Sequence, residues 1–465
     1  MNPTPSPETP LQSRRQFLKS GSGAVAVSAL AGVTLPHVHA AGSDLVQLAI
    51  VGCGGRGTGA LANALGTSNL GPMNLVAMAD VFENKLTGSY NSISKKFESQ
   101  VTVKDDDKHI GFDGYQHAMD RLKPGDVVIL TTPLAFRWVH FKYAIAKGLN
   151  VFMEKPLTAD GPSSRKMLAL AEEASKKNLK VGVGLMSRHS RAMQEVQQRI
   201  QDGEIGDLIN LRGYRMHGPV GSAFSEKWPG GTPTELLWQI SRFHSFLWAS
   251  GGCYSDFYIH HIDQLCWMKN DWPVKAQGIG GRHYRDNKID QNFDSYSVEY
   301  TFPDGSKMYM DGRCINGCNS IYSSYAHGSK GMAIIAKAND AGVPSSTYKG
   351  QNPDREKQIW QSTDTSSPYD NEWIDLMNAI RNDKPYNEVP RGVQASVTTS
   401  MGRMAAHTGM EIRYDDFLAS EHEYAPGIEN LTMDSPAFLK ADADGKYPVP
   451  MPGICTKTEY PVQKA

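Results

Sequence analysis

The sequence predicts an α/β chain in two parts: a doubly wound parallel sheet, followed by an α+β part with a mostly antiparallel open sheet. Three observations carry this. Between residues 47 and 185, short apolar runs alternate with helical stretches, the rhythm of strands buried on both faces by crossover helices. A glycine-rich turn joins the first run to the first helix. Beyond Arg188 the rhythm changes to strand-like runs at 208–216, 276–284, 295–302 and 306–310, and Pro303-Asp304-Gly305 supplies a hairpin turn between the last two.

Each element has its own reason. Leu48, Ile50 and Val51 form the first strand, and Gly52, Gly54 and Gly57 follow at the G-x-G-x-x-G spacing, with Gly55 and Arg56 inside the loop and a helix over 58–65. Strand, glycine turn and helix N-terminus together make a cradle for a pyrophosphate: Gly52 permits the turn, Gly54 lets backbone approach phosphate, and Gly57 lets the helix lie close to the strand. The competing reading is a glycine-rich loop with no ligand. A second strand over 74–80 ends in Asp80, whose carboxylate suits ribose hydroxyls and disfavours a 2′-phosphate, which points to NAD rather than NADP. Asp80 lies 28 residues after Gly52, more than the usual spacing of about 20, so 66–72 extends the connection. Capping the helix that begins near Glu83 is the other reading of Asp80.

A strand over 126–133 stops at Thr132-Pro133, a helix follows over 139–147, and Gly148 ends it. The strand over 150–153 delivers Glu154-Lys155-Pro156 at its carboxyl end, where ligands of open α/β sheets collect. A helix over 161–177 and a strand over 180–185 complete the alternation. Helices are expected again over 373–381 and 392–408, and from 425 a proline-spotted tail reads as a surface-wrapping or subunit-contacting arm.

With 465 residues, net charge −1 and 40% hydrophobic composition, the chain is ordinary globular material with room for two domains, and no basic excess points to nucleic acid. The N-terminus is distinct. Ser13-Arg14-Arg15-Gln16-Phe17-Leu18-Lys19 precedes an apolar small-residue run over 23–35, and residues 1–41 resemble a twin-arginine export signal with cleavage near Ala40. An uncleaved anchor or leader is the alternative. This resemblance implies export of a folded protein to the periplasm, and hence a dinucleotide that is held tightly and recycled. Six cysteines, an even number in an apparently exported chain, permit disulfides. They do not space like a zinc site, and no metal is expected. Cys314 and Cys318 would lie roughly 13 Å apart on a straight strand, too far to pair unless Asn316-Gly317 turns the chain back.

The glycine turn, the Glu154-Lys155-Pro156 triplet and the segment Gly251-Gly252-Cys253-Tyr254-Ser255-Asp256-Phe257-Tyr258-Ile259-His260-His261-Ile262-Asp263 together resemble the Gfo/Idh/MocA oxidoreductases, the family of glucose-fructose oxidoreductase and inositol dehydrogenase. The resemblance runs from about residue 47 to about residue 408. It implies an NAD(P)-binding Rossmann domain over 44–187, a substrate and oligomerisation domain over 188–410, a C-terminal extension over 411–465, a homo-oligomer, and a sugar or polyol substrate. It also implies that Lys155, Asp256 and His260 are catalytic, and that Thr132, Pro133, His140 and Glu154 join the glycine turn and Asp80 around the cofactor. Arg188 matches a position that often faces substrate.

The chemistry of these residues agrees. Spacings of four and three put Asp256, His260 and Asp263 on one face of a helix. Oxidising a secondary alcohol moves a hydride to nicotinamide while a base takes the hydroxyl proton, and histidine, titrating near pH 6.5, suits that role. Asp256 would orient it or bind substrate, and Lys155 would favour the developing alkoxide. Arg188, Asp263, Trp248 and Tyr214 are the candidate substrate contacts. Other readings stand beside these: Lys155 paired with Glu154, Asp263 as a partner of His260 or a helix salt bridge, His140 as a helix cap, Arg188 as a domain brace, and Trp228, Trp238 and Trp248 as core. Dehydrogenation is the first functional reading. Redox-neutral glycoside hydrolysis or epimerisation, which the lysine of the triplet disfavours, and a non-catalytic sugar or dinucleotide sensor are the others.

Overall fold

The computed structural model describes residues 44–338 and 344–462; the twin-arginine reading of residues 1–41 lies outside them. The first part alternates β1 (Val46–Val51), α1 (Gly55–Gly66), β2 (Met73–Asp80), α2 (Glu83–Lys96), β3 (Lys108–Ile110), α3 (Gly114–Asp120), β4 (Val127–Leu130), α4 (Arg137–Ala146), β5 (Asn150–Met153), α5 (Gly161–Lys176) and β6 (Val181–Val183). The six strands are parallel, in the order β3-β2-β1-β4-β5-β6. The order reverses between β1 and β4, and a crevice opens outside the carboxyl ends of strands at such a switch point. Every residue of β4 and β5 is buried, which is why these strands read as unbroken apolar runs. β3 has three residues and no buried one, so it carries no apolar signal. α5 starts where its sequence directs: Asp160 accepts the Ser163 N–H at 2.8 Å and Pro162 sits in the first turn.

After α6 (Arg191–Gln201), β7 (Leu208–His217) opens the second sheet, and residues 218–251 lead through α7 (Glu235–Ser241) and α8 (Leu247–Ser250) into α9 (Gly252–Lys269). The sheet is completed by β8 (Lys275–Gly281), β9 (Ser295–Thr301), β10 (Lys307–Cys314), β11 (Ile321–Gly328), β12 (Gly331–Lys337), β13 (Ser346–Lys349), β14 (Gln358–Gln361) and β15 (Ile412–Arg413). Its order is β14-β13-β12-β11-β7-β10-β9-β8-β15, antiparallel except where β7 meets β10. The Pro303-Asp304-Gly305 turn joins β9 to β10 as expected, with Phe302 and Ser306 hydrogen-bonded at 3.0 Å.

α9 and α11 (Val389–Thr408) cover one face of this sheet. Sixteen of the eighteen α9 residues are buried, so the helix has no wet side and its sequence lacks a single apolar stripe. Gly213 of β7 faces α9, near His261 and Leu265, so Tyr214 projects from the opposite face, edge-on to Tyr325. That position removes Tyr214 from the candidate substrate contacts.

Two segments pack across the expected boundaries of 188–410 and 411–465. α10 (Pro368–Arg381) returns to the first sheet, where Trp373 stacks on Phe152 at 4.6 Å and Leu376, Met377 and Ile380 pack with Leu48 and Ile50. β15, beyond 410, is an edge strand of the second sheet. All six cysteines are free: Cys314 is buried and Cys318 exposed, so the turn does not bring them together.

Past α12 (Tyr414–Ala419) the arm runs back over its own chain. Its anchor is Glu459, fully buried, which receives Arg403 Nε at 3.1 Å, Arg403 Nη2 at 3.2 Å and His407 Nδ1 at 2.8 Å. Burial opposes its charge, but Arg403 and His407 hold it down to about 2. A carboxylate depressed in the folded state adds stability above its ordinary value of 4.5, and that contribution is lost as pH falls toward 2. Glu459→Gln should therefore lower the unfolding free energy by about 3 kcal/mol at neutral pH, because it strands Arg403. Denaturant titration should show that gap narrowing in acid.

Candidate active site

The carboxyl ends of β1 and β4 open on a crevice of about 220 Å³. Gly52, Gly54, Gly55, Asp80, Thr132, Pro133 and His140 line it, together with Lys85, Tyr115, Phe136 and, from α7 and the turn after it, Ile240, Ser241 and Phe243. The glycine turn has steric causes. Gly52 has φ +99°, and a Cβ on Gly57 would lie 2.0 Å from the Gly52 carbonyl oxygen, so only glycine lets α1 start this close to β1. Gly54 and Gly55 face open space, and the first turn of α1 holds no acid. A dinucleotide pyrophosphate fits that cradle.

Asp80 accepts the Cys53 N–H at 2.6 Å and the Phe82 N–H at 2.9 Å, bracing the turn while its carboxylate lines the crevice. Burial raises its pKa. Asp80 is the residue that would hold the ribose. Burial, helped by the Arg137 charge, pushes His140 down to about 3, so it stays neutral, with Nδ1 3.3 Å from Thr132 Oγ1.

Beside the crevice a carboxylate is held between groups from three parts of the chain. Lys155, just past β5, donates to the Asp256 carbonyl oxygen at 2.7 Å and lies 3.5 Å from Oδ1. His244 Nε2 lies 3.2 Å from Oδ2. Burial favours the neutral acid, but Lys155, then His244, then His260 hold Asp256 well below the usual carboxylate range. His260 is one turn further along α9 and buried. An anion, an ammonium and two imidazoles thus converge next to Phe243, whose ring lies 3.8 Å from that of His244. Such a group can take a proton from a hydroxyl and stabilise the oxyanion left behind.

Other expected contacts are redirected. Arg56 points to Glu154 at 2.5 Å and Glu372 at 3.0 Å, so neither the Arg56 nor the Glu154 side chain turns to the crevice; they tie the glycine turn to the triplet. Arg188 and Asp263 bind each other, at 2.7 to 3.1 Å, with Arg188 against Trp267 and Trp272. A carboxylate this buried satisfies its charge on the nearest guanidinium, and the pair braces α9 rather than offering a substrate contact. Trp248 is 1% exposed, donates to Gln239 Oε1 at 2.9 Å and packs on Phe136 and Phe438, so it is core. Sequence reasoning missed His244 and Lys85. Residue 244 lies in a stretch whose aromatic clustering is visible, but no periodicity there shows which ring meets Asp256.

Fold and site define a two-part chain built around a Rossmann crevice suited to a dinucleotide. Two models of one family match consecutive stretches: an oxidoreductase family with an NAD-binding Rossmann fold over residues 46–198, and the GFO/IDH/MocA C-terminal domain over 193–334. The chain belongs to the Gfo/Idh/MocA oxidoreductase family. Its relatives include the inositol 2-dehydrogenase of Corynebacterium glutamicum, 30% identical over 22% of this chain and 29% of that protein. The NAD(+)-dependent scyllo-inositol 2-dehydrogenase of Bacillus subtilis is 30% identical over 34% of this chain and 39% of that protein. The matches thus span only about a third of these curated relatives. Among solved structures, aldose-aldose oxidoreductase from Caulobacter crescentus, complexed with glycerol, has a TM-score of 0.60 at 15% identity, over 79% of this chain and 99% of that one. Myo-inositol 2-dehydrogenase from Lactobacillus plantarum has a TM-score of 0.57 at 19% identity, over 79% and 99%. Both share the fold.

Gly57→Ala should weaken NAD binding about tenfold or more, because the new methyl forces α1 off β1 and opens the cradle. Calorimetric titration of stripped protein measures this, and unchanged affinity would show that the close approach is not needed.

Proposed function

We propose that the protein is an NAD-dependent dehydrogenase of a secondary alcohol on a sugar, glycoside or polyol, such as the 3-hydroxyl of a glucoside, working with a tightly held cofactor. The observation that carries this is the contact of Lys155 with Asp256, one helical turn from His260, beside a crevice built for a dinucleotide. NAD, when bound, supplies the hydride acceptor. His260 takes the hydroxyl proton, Lys155 stabilises the oxyanion, and Asp256 stays anionic to keep Lys155 in place. The names of the relatives, inositol dehydrogenases among them, support a polyol or sugar.

Tight retention is supported by how α7 is held. Glu235 accepts from Tyr447 Oη at 2.7 Å and Ala441 N–H at 3.0 Å, and Gln239 donates to the Leu439 carbonyl at 2.7 Å. The arm thus fastens the helix that contributes Ile240 and Ser241 to the crevice. With the twin-arginine reading of residues 1–41, this supports an exported enzyme that carries its cofactor with it. A second reading, redox-neutral elimination or epimerisation through a transient ketone, uses the same crevice and the same Lys155, Asp256 and His260.

Native mass spectrometry should find a dinucleotide in the purified protein, and a panel of polyols and glycosides should reduce it, as read by NADH absorbance. Release of a free aglycone without net NADH would select the second reading. Lys155→Met should lower kcat roughly a hundredfold with dinucleotide content unchanged. Cofactor-free protein, inert across the panel, would overturn the dehydrogenase reading in favour of a sensor.

A further inference from the structure

We propose that His244 is a positioning residue that fixes the ionised Asp256 carboxylate for Lys155, an inference that rests on the dehydrogenase reading. His244 comes from the 3-10 turn Phe243–Ser245, outside the motif that carries Asp256 and His260. Its placement is built rather than incidental. The backbone is pinned by Asn292 Nδ2, which donates to the His244 carbonyl at 2.9 Å, and by Ser245 Oγ, which donates to the Ser222 carbonyl at 2.5 Å. The ring is admitted by Gly221, at φ +56°, where a Cβ would come within 2.8 Å of Cε1. Phe243 and Phe257 flank it, with ring centroids at 3.8 and 5.1 Å.

The partners of the ring set its tautomer. The Ser222 backbone N–H donates to Nδ1 at 3.3 Å, and the Ser222 hydroxyl, 3.1 Å from the same nitrogen, can rotate to donate as well; Nδ1 as acceptor puts the proton on Nε2, which lies 3.2 Å from Asp256 Oδ2. Asp256 therefore has a donor on each side, the Nε2–H at Oδ2 and Lys155 at Oδ1. A buried carboxylate with two such supports has one orientation, and through it the Lys155 ammonium has one position. His244 acts through Asp256 and touches no reacting atom.

Two substitutions separate this from mere packing. His244→Phe keeps a ring against Phe243 and Phe257 but has no donor; His244→Gln loses the ring but carries an N–H able to reach Oδ2. In the full chain with its retained dinucleotide, His244→Phe should lower kcat about tenfold to a hundredfold with KM within about threefold, the loss of one hydrogen bond to a charged group. His244→Gln should recover most of that. Equal impairment of both, or a Phe variant as fast as the parent, overturns the proposal. Nitrogen NMR of isotope-labelled histidines gives a reading independent of turnover. The Nε2–H form should be found for His244, its bonded proton resonance shifting in Asp256→Asn, whereas an Nδ1–H form overturns the proposal whatever the activity. Absence of parent turnover on every substrate sinks the dehydrogenase reading instead, and the tautomer then decides the positioning role alone.

Discussion

A carboxylate inside a protein must be neutralised by its surroundings or give up its charge. Asp256 keeps its charge, and the surrounding architecture follows from that. It sits on α9, a helix buried on nearly all sides between the second sheet and the first part of the chain. Its supports cannot come from α9 alone. One arrives from the end of β5 as Lys155, another from the insertion after β7 as His244. The ion contact thus stitches together the dinucleotide sheet, the second sheet and the connecting segment at the point where chemistry is expected.

A second charged network does the same work on the cofactor side. Arg56, in the first turn of α1, reaches both Glu154 of the triplet and Glu372 of α10. Burial, together with the neighbouring Glu154, pushes Glu372 up, and Arg56 pulls it back down. Because Glu154 precedes Lys155, the glycine turn and the Lys155 ammonium are mechanically one unit. That gives the arginine of the glycine turn a reason to exist that does not involve touching the cofactor.

The first sheet was legible because its strands are buried on both faces and its turn can be built only with glycine at 52 and 57. Lys155, Asp256 and His260 were legible because a motif and a helical spacing place them. What could not be read was the outcome of competition between partners. Arg188 and Asp263 each look like ligand-binding groups until the fold brings them together. Trp248 resembles a sugar platform until the arm lays Phe438 against it. The return of α10 to the first sheet and the arrival of His244 at Asp256 are long-range contacts made by segments whose local patterns say only helix or turn.

The arm has one more consequence. Leu439, Ala441 and Tyr447 fasten α7, and Glu459 locks the arm to α11 through Arg403, which also reaches Ser255 beside Asp256. These residues follow every strand of both sheets in the chain. A nascent chain can therefore complete the glycine cradle long before it can close the pocket around a nucleotide. The cradle and the segment that fastens α7 over it thus lie at opposite ends of the described chain.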